Sequence, residues 1–179
     1  MSHAARLARL VSETPNLSAP TDDKDTIMTA RLDAWKIAPA LLKPLLDLEA
    51  SIKASGLDYT LIELVKTRAS QINGCAYCLH MHTQDARRHG ESEVRLHLLA
   101  AWRESSLYSE RERAALAWTE ALTRVADTQA PDADYDGLAG LFSDEEKVQL
   151  TVLIMTINAW NRLAVGLRSV HPGSWKADA

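Results

Sequence analysis

The chain has 179 residues, 46% of them hydrophobic and 25% charged, with a formal net charge of −4. That length suits one domain with its own core, and the slight acidity, with no dense basic cluster, excludes an electrostatic footprint for nucleic acid. Only 7 Gly and 6 Pro among several long apolar segments favour helices over a many-turned β fold.

Residues 1–27 read as a flexible extension or docking arm ahead of a helical domain over 28–179. Pro15, Pro20 and a polar run over 21–25 break any apolar pattern there, and Met28 could serve as an alternative start. Arg6 and Arg9 interrupt the apolar residues at the N-terminus, so no secretory signal is expected. The first helix spans Pro39 to Ser55, with Leu41, Leu42, Leu45, Leu46, Leu48 and Ile52 on one broad face, and Gly56 ends it. Asp58 can cap a second helix from Tyr59 to about Ile72, closed by Asn73-Gly74. A third runs from about Cys75 to Arg88. A fourth starts at Ser92 and presents Val94, Leu98 and Ala101. Ser109 and Glu112 form a capping box for a fifth, Glu110 to about Val125. A short sixth covers Asp134 to Leu141. Ser143 and Glu146 open the last, which reaches about Ser169 before His171-Pro172-Gly173. No strand alternation or internal repeat appears, so the fold class is all-α.

The last helix is apolar nearly all round, from Val148 to Trp160, and needs cover on several sides. A second subunit could supply part of it, so a homo-oligomer is expected. Asn158, Asn161 and Arg162 interrupt this helix, and an intersubunit hydrogen-bond network would satisfy them. They also keep the segment below the roughly 18 uninterrupted apolar residues of a membrane span. The expectation is a cytoplasmic protein with no membrane or nucleic-acid partner. Trp35, Trp102, Trp118, Trp160 and Trp175 read as core and interface anchors.

Both cysteines lie in Gly74-Cys75-Ala76-Tyr77-Cys78-Leu79-His80-Met81-His82. On a helix, Cys75, Cys78 and His82 fall at i, i+3 and i+7, on one face. In a reducing compartment such a pair is redox-active or metal-binding rather than a staple. A first-turn thiol near an imidazole ionises more readily, and the thiolate attacks a peroxide or a disulfide. The resulting sulfenic acid condenses with a neighbouring thiol, which CxxC provides. Glu63 could lie across the hairpin of the second and third helices and move protons to and from His82. Its alternative is a solvated residue or an ion pair with Lys66 or Arg68. A zinc site remains open, although Cys75, Cys78, His82 and Glu63 would be an unusual ligand set. His80 lies off the face and reads as structural or exposed. His89 reads as a cap on the helix dipole. His97 and His171 carry no usable signal.

The stretch Glu63-Leu64-Val65-Lys66-Thr67-Arg68-Ala69-Ser70-Gln71-Ile72-Asn73-Gly74-Cys75-Ala76-Tyr77-Cys78, followed by His82, closely resembles the alkylhydroperoxidase AhpD-like core of the carboxymuconolactone decarboxylase family. Ile157 to Ala164 looks like that family's final helix, and the resemblance covers about residues 30 to 170. It implies an all-helical bundle of about six to seven helices assembling as trimers or hexamers. It implies thiol-dependent reduction of alkyl or hydrogen peroxide, with a dithiol or thioredoxin-like reductant and no cofactor or bound metal. By position, Cys78 matches the peroxidatic thiol, Cys75 the partner that closes the disulfide, and Glu63 and His82 the proton relay. Where the well-studied pattern has a second histidine between the cysteines, this chain has Tyr77, a poor base with an ordinary pKa of about 10. Tyr77 could pack at an interface or touch substrate. The alternatives to a peroxidase are a redox sensor whose disulfide changes the oligomeric state, and a metal-binding module.

Overall fold

The computed structural model describes residues 29–172. The extension expected over residues 1–27, Met28 and Trp175 lie outside them. Among the described residues there are helices and turns but no strands, and the fold is all-α.

A one-turn helix, α1 (Ala34–Ile37), precedes α2 (Pro39–Lys53), whose first residue is a proline with its ring pre-set for the turn. Next come α3 (Tyr59–Asn73) and α4 (Ala76–Arg88). α5 (Glu93–Leu98) tightens into a 3-10 helix over Leu99–Glu104. α6 (Glu110–Thr123) is followed by short α7 (Val125–Thr128) and α8 (Asp132–Asp136), and α9 (Asp144–Leu167) closes the domain.

α3 is the centre, packing against α4, α6 and α9. Nine of its residues are buried, which explains why its apolar stripe is broad. Ile62 and Val65 of α3 meet Trp118 of α6 and Leu150, Leu153 and Ile154 of α9 in the main core. Both predicted capping boxes are present, at Ser109–Glu112 and Ser143–Glu146. Each satisfies two N–H groups that a helix start would otherwise leave open.

Several expected elements change. The segment after Ser92 buries Leu96, Leu99 and Trp102, while Val94 and Leu98 are exposed. Its apolar spacing is three, the period of a 3-10 helix, so the Val94–Leu98–Ala101 face turns outward. α6 stops at Thr123 because the Thr128 hydroxyl donates to the Ala121 carbonyl at 2.6 Å, replacing the next helical bond. The sixth element begins earlier and is one turn long. Its following turns still place Leu138 and Phe142 in the core. On α2, Leu42 and Ile52 are buried but Leu41 is exposed.

α9 is long and apolar enough to pass for a membrane span by length and composition. Here it is the core helix, with Asn158 and Asn161 buried in its middle. In a single chain it leaves Val148, Met155 and Val165 exposed.

Candidate functional site

α3 ends in the left-handed region at Gly74, with φ of 64°. A glycine adopts that conformation without the Cβ penalty. The turn sends the chain straight into α4, and Cys75 becomes the N-cap residue of α4, its Sγ accepting from the Cys78 N–H at 3.3 Å. Cys75 and Cys78 are joined by a disulfide, with Cα atoms 5.4 Å apart. Both sulfurs therefore sit at the positive end of the α4 dipole. Unpaired N–H groups there favour negative charge on sulfur once the bond is reduced.

The α3–α4 hairpin brings Glu63 to His82, with Oε2 and Nδ1 2.8 Å apart. Glu63 is 1% exposed and His82 5%. A carboxylate accepts, so Nδ1 carries the proton and Nε2 is left as the basic nitrogen. The structure thus draws Glu63, Cys78 and His82 together on the wall of one cavity of about 540 Å³. Cys75 lies behind Cys78, in contact with it and with Ala164 of α9.

The two cations that could have paired with Glu63 are engaged elsewhere. Arg68 pairs with Glu120 of α6 at 2.7 Å, and Lys66 pairs with Glu49 of α2. Lys66 and Glu49 also line the cavity. Neither stands out from local spacing, because Glu49 reaches the site from another helix. The one available signal is Lys66 at i+3 from Glu63 in a run of otherwise apolar, buried positions.

Tyr59, at the start of α3, reports the field of the site. Burial first, then the negative charges of Glu63 and Asp85, push its hydroxyl up to about 12. Tyr77 is half-exposed and lines the cavity mouth beside Met81. The strap before α2 also lines the cavity, from Ala30 to Trp35. It is tied to the end of α9 by the Arg31 N–H on the Leu167 carbonyl at 2.9 Å and the Arg31 guanidinium on the Gly166 carbonyl at 2.8 Å. Trp35 then stacks on Trp160 of α9, with ring centroids 6.0 Å apart. The strap and this ring pair carry no pattern a local reading of sequence could find.

The polar residues of α9 correct the expectation of an intersubunit network, because they find partners within the chain. The Asn73 amide donates to Asn158 at 3.0 Å and to Asn161 at 2.8 Å. Asn158 donates to the Thr123 hydroxyl, and Asn161 to the Ser70 hydroxyl at 3.0 Å. Arg162 donates to the Asn158 side chain at 2.9 Å. This network clamps the last turn of α3 to α9, immediately before the CxxC turn.

His80 lies off the site and stacks on His171 at 5.2 Å. His89 caps the end of α4, its Nδ1 2.8 Å from the Asp85 carbonyl, and packs on Tyr59. Among the described residues no group of three or more His, Cys, Asp or Glu side chains is arranged to hold a metal ion.

Residues 39–121 match the Carboxymuconolactone decarboxylase family. The uncharacterized protein YdfG of Bacillus subtilis (strain 168) is 40% identical over 140 residues, 78% of this chain and 95% of YdfG. The chain belongs to the carboxymuconolactone decarboxylase family. Among solved structures, ATU0492 of Agrobacterium tumefaciens is 46% identical and superposes with a TM-score of 0.79, covering 82% of this chain and 100% of that one. ATU0492 is a protein of unknown function named as a candidate antioxidant defence protein AhpD. The fold is therefore AhpD-like. The debrominase Bmp8 shares that fold at 23% identity and a TM-score of 0.65, over 75% of this chain and 72% of its own.

Proposed function

We propose that the protein is a thiol-dependent peroxidase that reduces alkyl or hydrogen peroxide through a CxxC disulfide cycle. The observation that carries this reading is a redox pair in which one sulfur opens on a cavity. A buried imidazole–carboxylate pair stands on the same wall.

In the reduced protein the Cys78 thiol gives its proton to His82 Nε2, and the thiolate attacks the distal peroxide oxygen. The S–O bond forms, the O–O bond breaks, and the leaving alkoxide takes a proton from His82 to depart as the alcohol. Glu63 holds His82 in place and stabilises its protonated form. The Cys75 thiol then displaces hydroxide from the Cys78 sulfenic acid, giving the disulfide and water. A dithiol or thioredoxin-like donor supplies two electrons and two protons to restore both thiols, and is itself oxidised to a disulfide. This cycle suits the cytoplasm, where reducing equivalents are maintained. A homo-oligomer of three or six chains goes with the reading: the stripe of Val148, Met155 and Val165 on α9 is the face a second copy would cover.

A panel of hydroperoxides, assayed with several dithiol donors, tests the proposal. The parent consumes peroxide with oxidation of two donor thiols per peroxide, and Cys78→Ser loses all turnover. Equal consumption by Cys78→Ser and the parent overturns it. Slow turnover together with a change of size on oxidation would replace it with the redox-sensor reading.

A further inference from the structure

The cavity wall holds a second buried ion pair that the proposed cycle does not use. Lys66 is 1% exposed, and its ammonium is bonded to a carboxylate oxygen of Glu49, whose side chain is 16% exposed. The other Glu49 oxygen is buried without a hydrogen-bond partner. Lys66 follows Glu63 at i+3 on α3, so the two share a helix face, and both line the cavity with His82. Four ionisable groups therefore line one cavity, and Glu63, Lys66 and His82 among them are buried. Two are carboxylates and one is an ammonium. The set carries one net negative charge until His82 takes a proton and balances it.

The other charged groups around the cavity are exposed or paired with exposed partners. Tyr59 of α3 stays neutral, as its hydroxyl at about 12 requires. Lys53 of α2 is exposed. Asp33 of the strap pairs with Lys36, and Asp85 of α4 with Arg88. Tyr77 and Cys78 of α4 also line the cavity, and the Cys78 sulfur is held in the disulfide. The residues α9 gives to the cavity, among them Trp160 and Leu163, carry no charge. Charges on buried side chains are screened less by solvent and salt than those on exposed ones.

We propose that Lys66 and Glu49 are positioning residues that set the proton affinity of His82, and with it the pH range in which the site can deliver a proton. The functional consequence rests on His82 acting as the proton donor in the cycle above. The charge argument does not. Removing Lys66 leaves two carboxylates facing the imidazole, which then keeps its proton to higher pH. Removing the Glu49 charge leaves an ammonium opposing the imidazolium, which then loses its proton at lower pH. Removing both restores the balance.

The test is an NMR titration of the His82 ring in the disulfide form, in which Cys78 carries no charge, its resonance assigned by its loss in His82→Asn. Lys66→Met raises the midpoint by about one pH unit, Glu49→Gln lowers it by about one, and the double variant returns close to the parent. A purely structural role would not give opposite shifts that cancel. Should Lys66→Met fail to fold, Glu49→Gln still has to lower the midpoint, because it keeps the shape of the side chain at the more exposed end of the pair. A midpoint unmoved by the single changes, shifted the same way by both, or not restored in the double variant overturns the proposal. The titration needs no turnover. A protein without peroxidase activity could still pass it, and an active one could still fail it.

Discussion

Glu63 and Glu120 are both buried carboxylates bound to or borne by α3, yet they are held in opposite ways. Glu120 is saturated. Its Oε1 accepts from Arg68 and from the Trp102 indole, each at 2.8 Å, and Oε2 accepts from Arg103. Burial opposes its ionisation, but the donors from Trp102, Arg103 and Arg68 outweigh it and hold its carboxyl below the usual range. Glu63 instead bonds a group that can itself gain or lose a proton, beside a cavity. The cluster with fixed donors locks α3, α6 and the 3-10 segment together. The cluster with a titratable partner is the one the proposed cycle uses to move a proton. A buried charge thus reads as structural or chemical from the nature of its partners more than from its burial.

Substituting the two carboxylates separates them most strongly. Glu120→Ala leaves Arg68 without its counter-charge and the Trp102 N–H without an acceptor. The expected cost is about 3–5 kcal/mol of stability, read from a denaturant midpoint, with peroxide turnover per folded molecule unchanged. Glu63→Gln keeps a side chain able to accept from His82. It should cost little stability but lower kcat/KM for peroxide by about 10²-fold or more. If both variants lose stability equally and activity equally, the two clusters are not different in kind.

Acid sharpens the same contrast. The depressed Glu120 carboxyl contributes stability that is fully present above the ordinary carboxylate range. That stability fades as pH falls through its lower, folded value. Glu112 and Glu146 behave alike. Burial opposes ionisation of Glu112, and Arg95 and the Ser109 cap outweigh it, while Arg111 and then the Ser143 cap lower Glu146. Stability measured against pH should therefore drop on the acid side, and Glu120→Gln should flatten that drop. An unchanged acid limb in the variant would mean that Glu120 is not the group being titrated.

Much of this arrangement can be read in the sequence because it is local. The two capping boxes need four residues each, and the Cys75–Cys78–His82 face follows from helical spacing once Gly74 marks the turn. Glu63 is reachable by the same logic across one short hairpin. What escapes is whatever depends on packing between distant segments. Glu49 meets Lys66 only because α2 folds back on α3. Trp35 meets Trp160 only because Arg31 ties the strap to the end of α9. Asn158 and Asn161 looked unsatisfied on an apolar helix because their partners, Asn73, Ser70 and Thr123, sit on other helices. The Leu96–Leu99–Trp102 spacing was visible, but an α-helical period chose the wrong face.

The clamp on α3 gives a smaller effect. Asn158→Ala removes an acceptor for Asn73 and Arg162 and a donor to Thr123, all near the start of the CxxC turn. The expected loss is about 1–3 kcal/mol, with faster amide hydrogen exchange over residues 70–78 than in the parent. Exchange that rises uniformly across the chain would show a general loss of stability rather than a local clamp.

The smallest change tests the turn itself. Nothing lies within 4 Å of a Cβ built on Gly74, so space is no obstacle there. Its φ of 64° is the obstacle, since an L-residue in the left-handed region costs about 1 kcal/mol. Gly74→Ala should lower stability by about that amount, and Gly74→Asn by less, because Asn tolerates the conformation better. The order matters more than the size. If Ala and Asn cost the same, the left-handed turn is not what fixes the start of α4, and the placement of Cys75 as its cap must come from the Asn73 clamp instead.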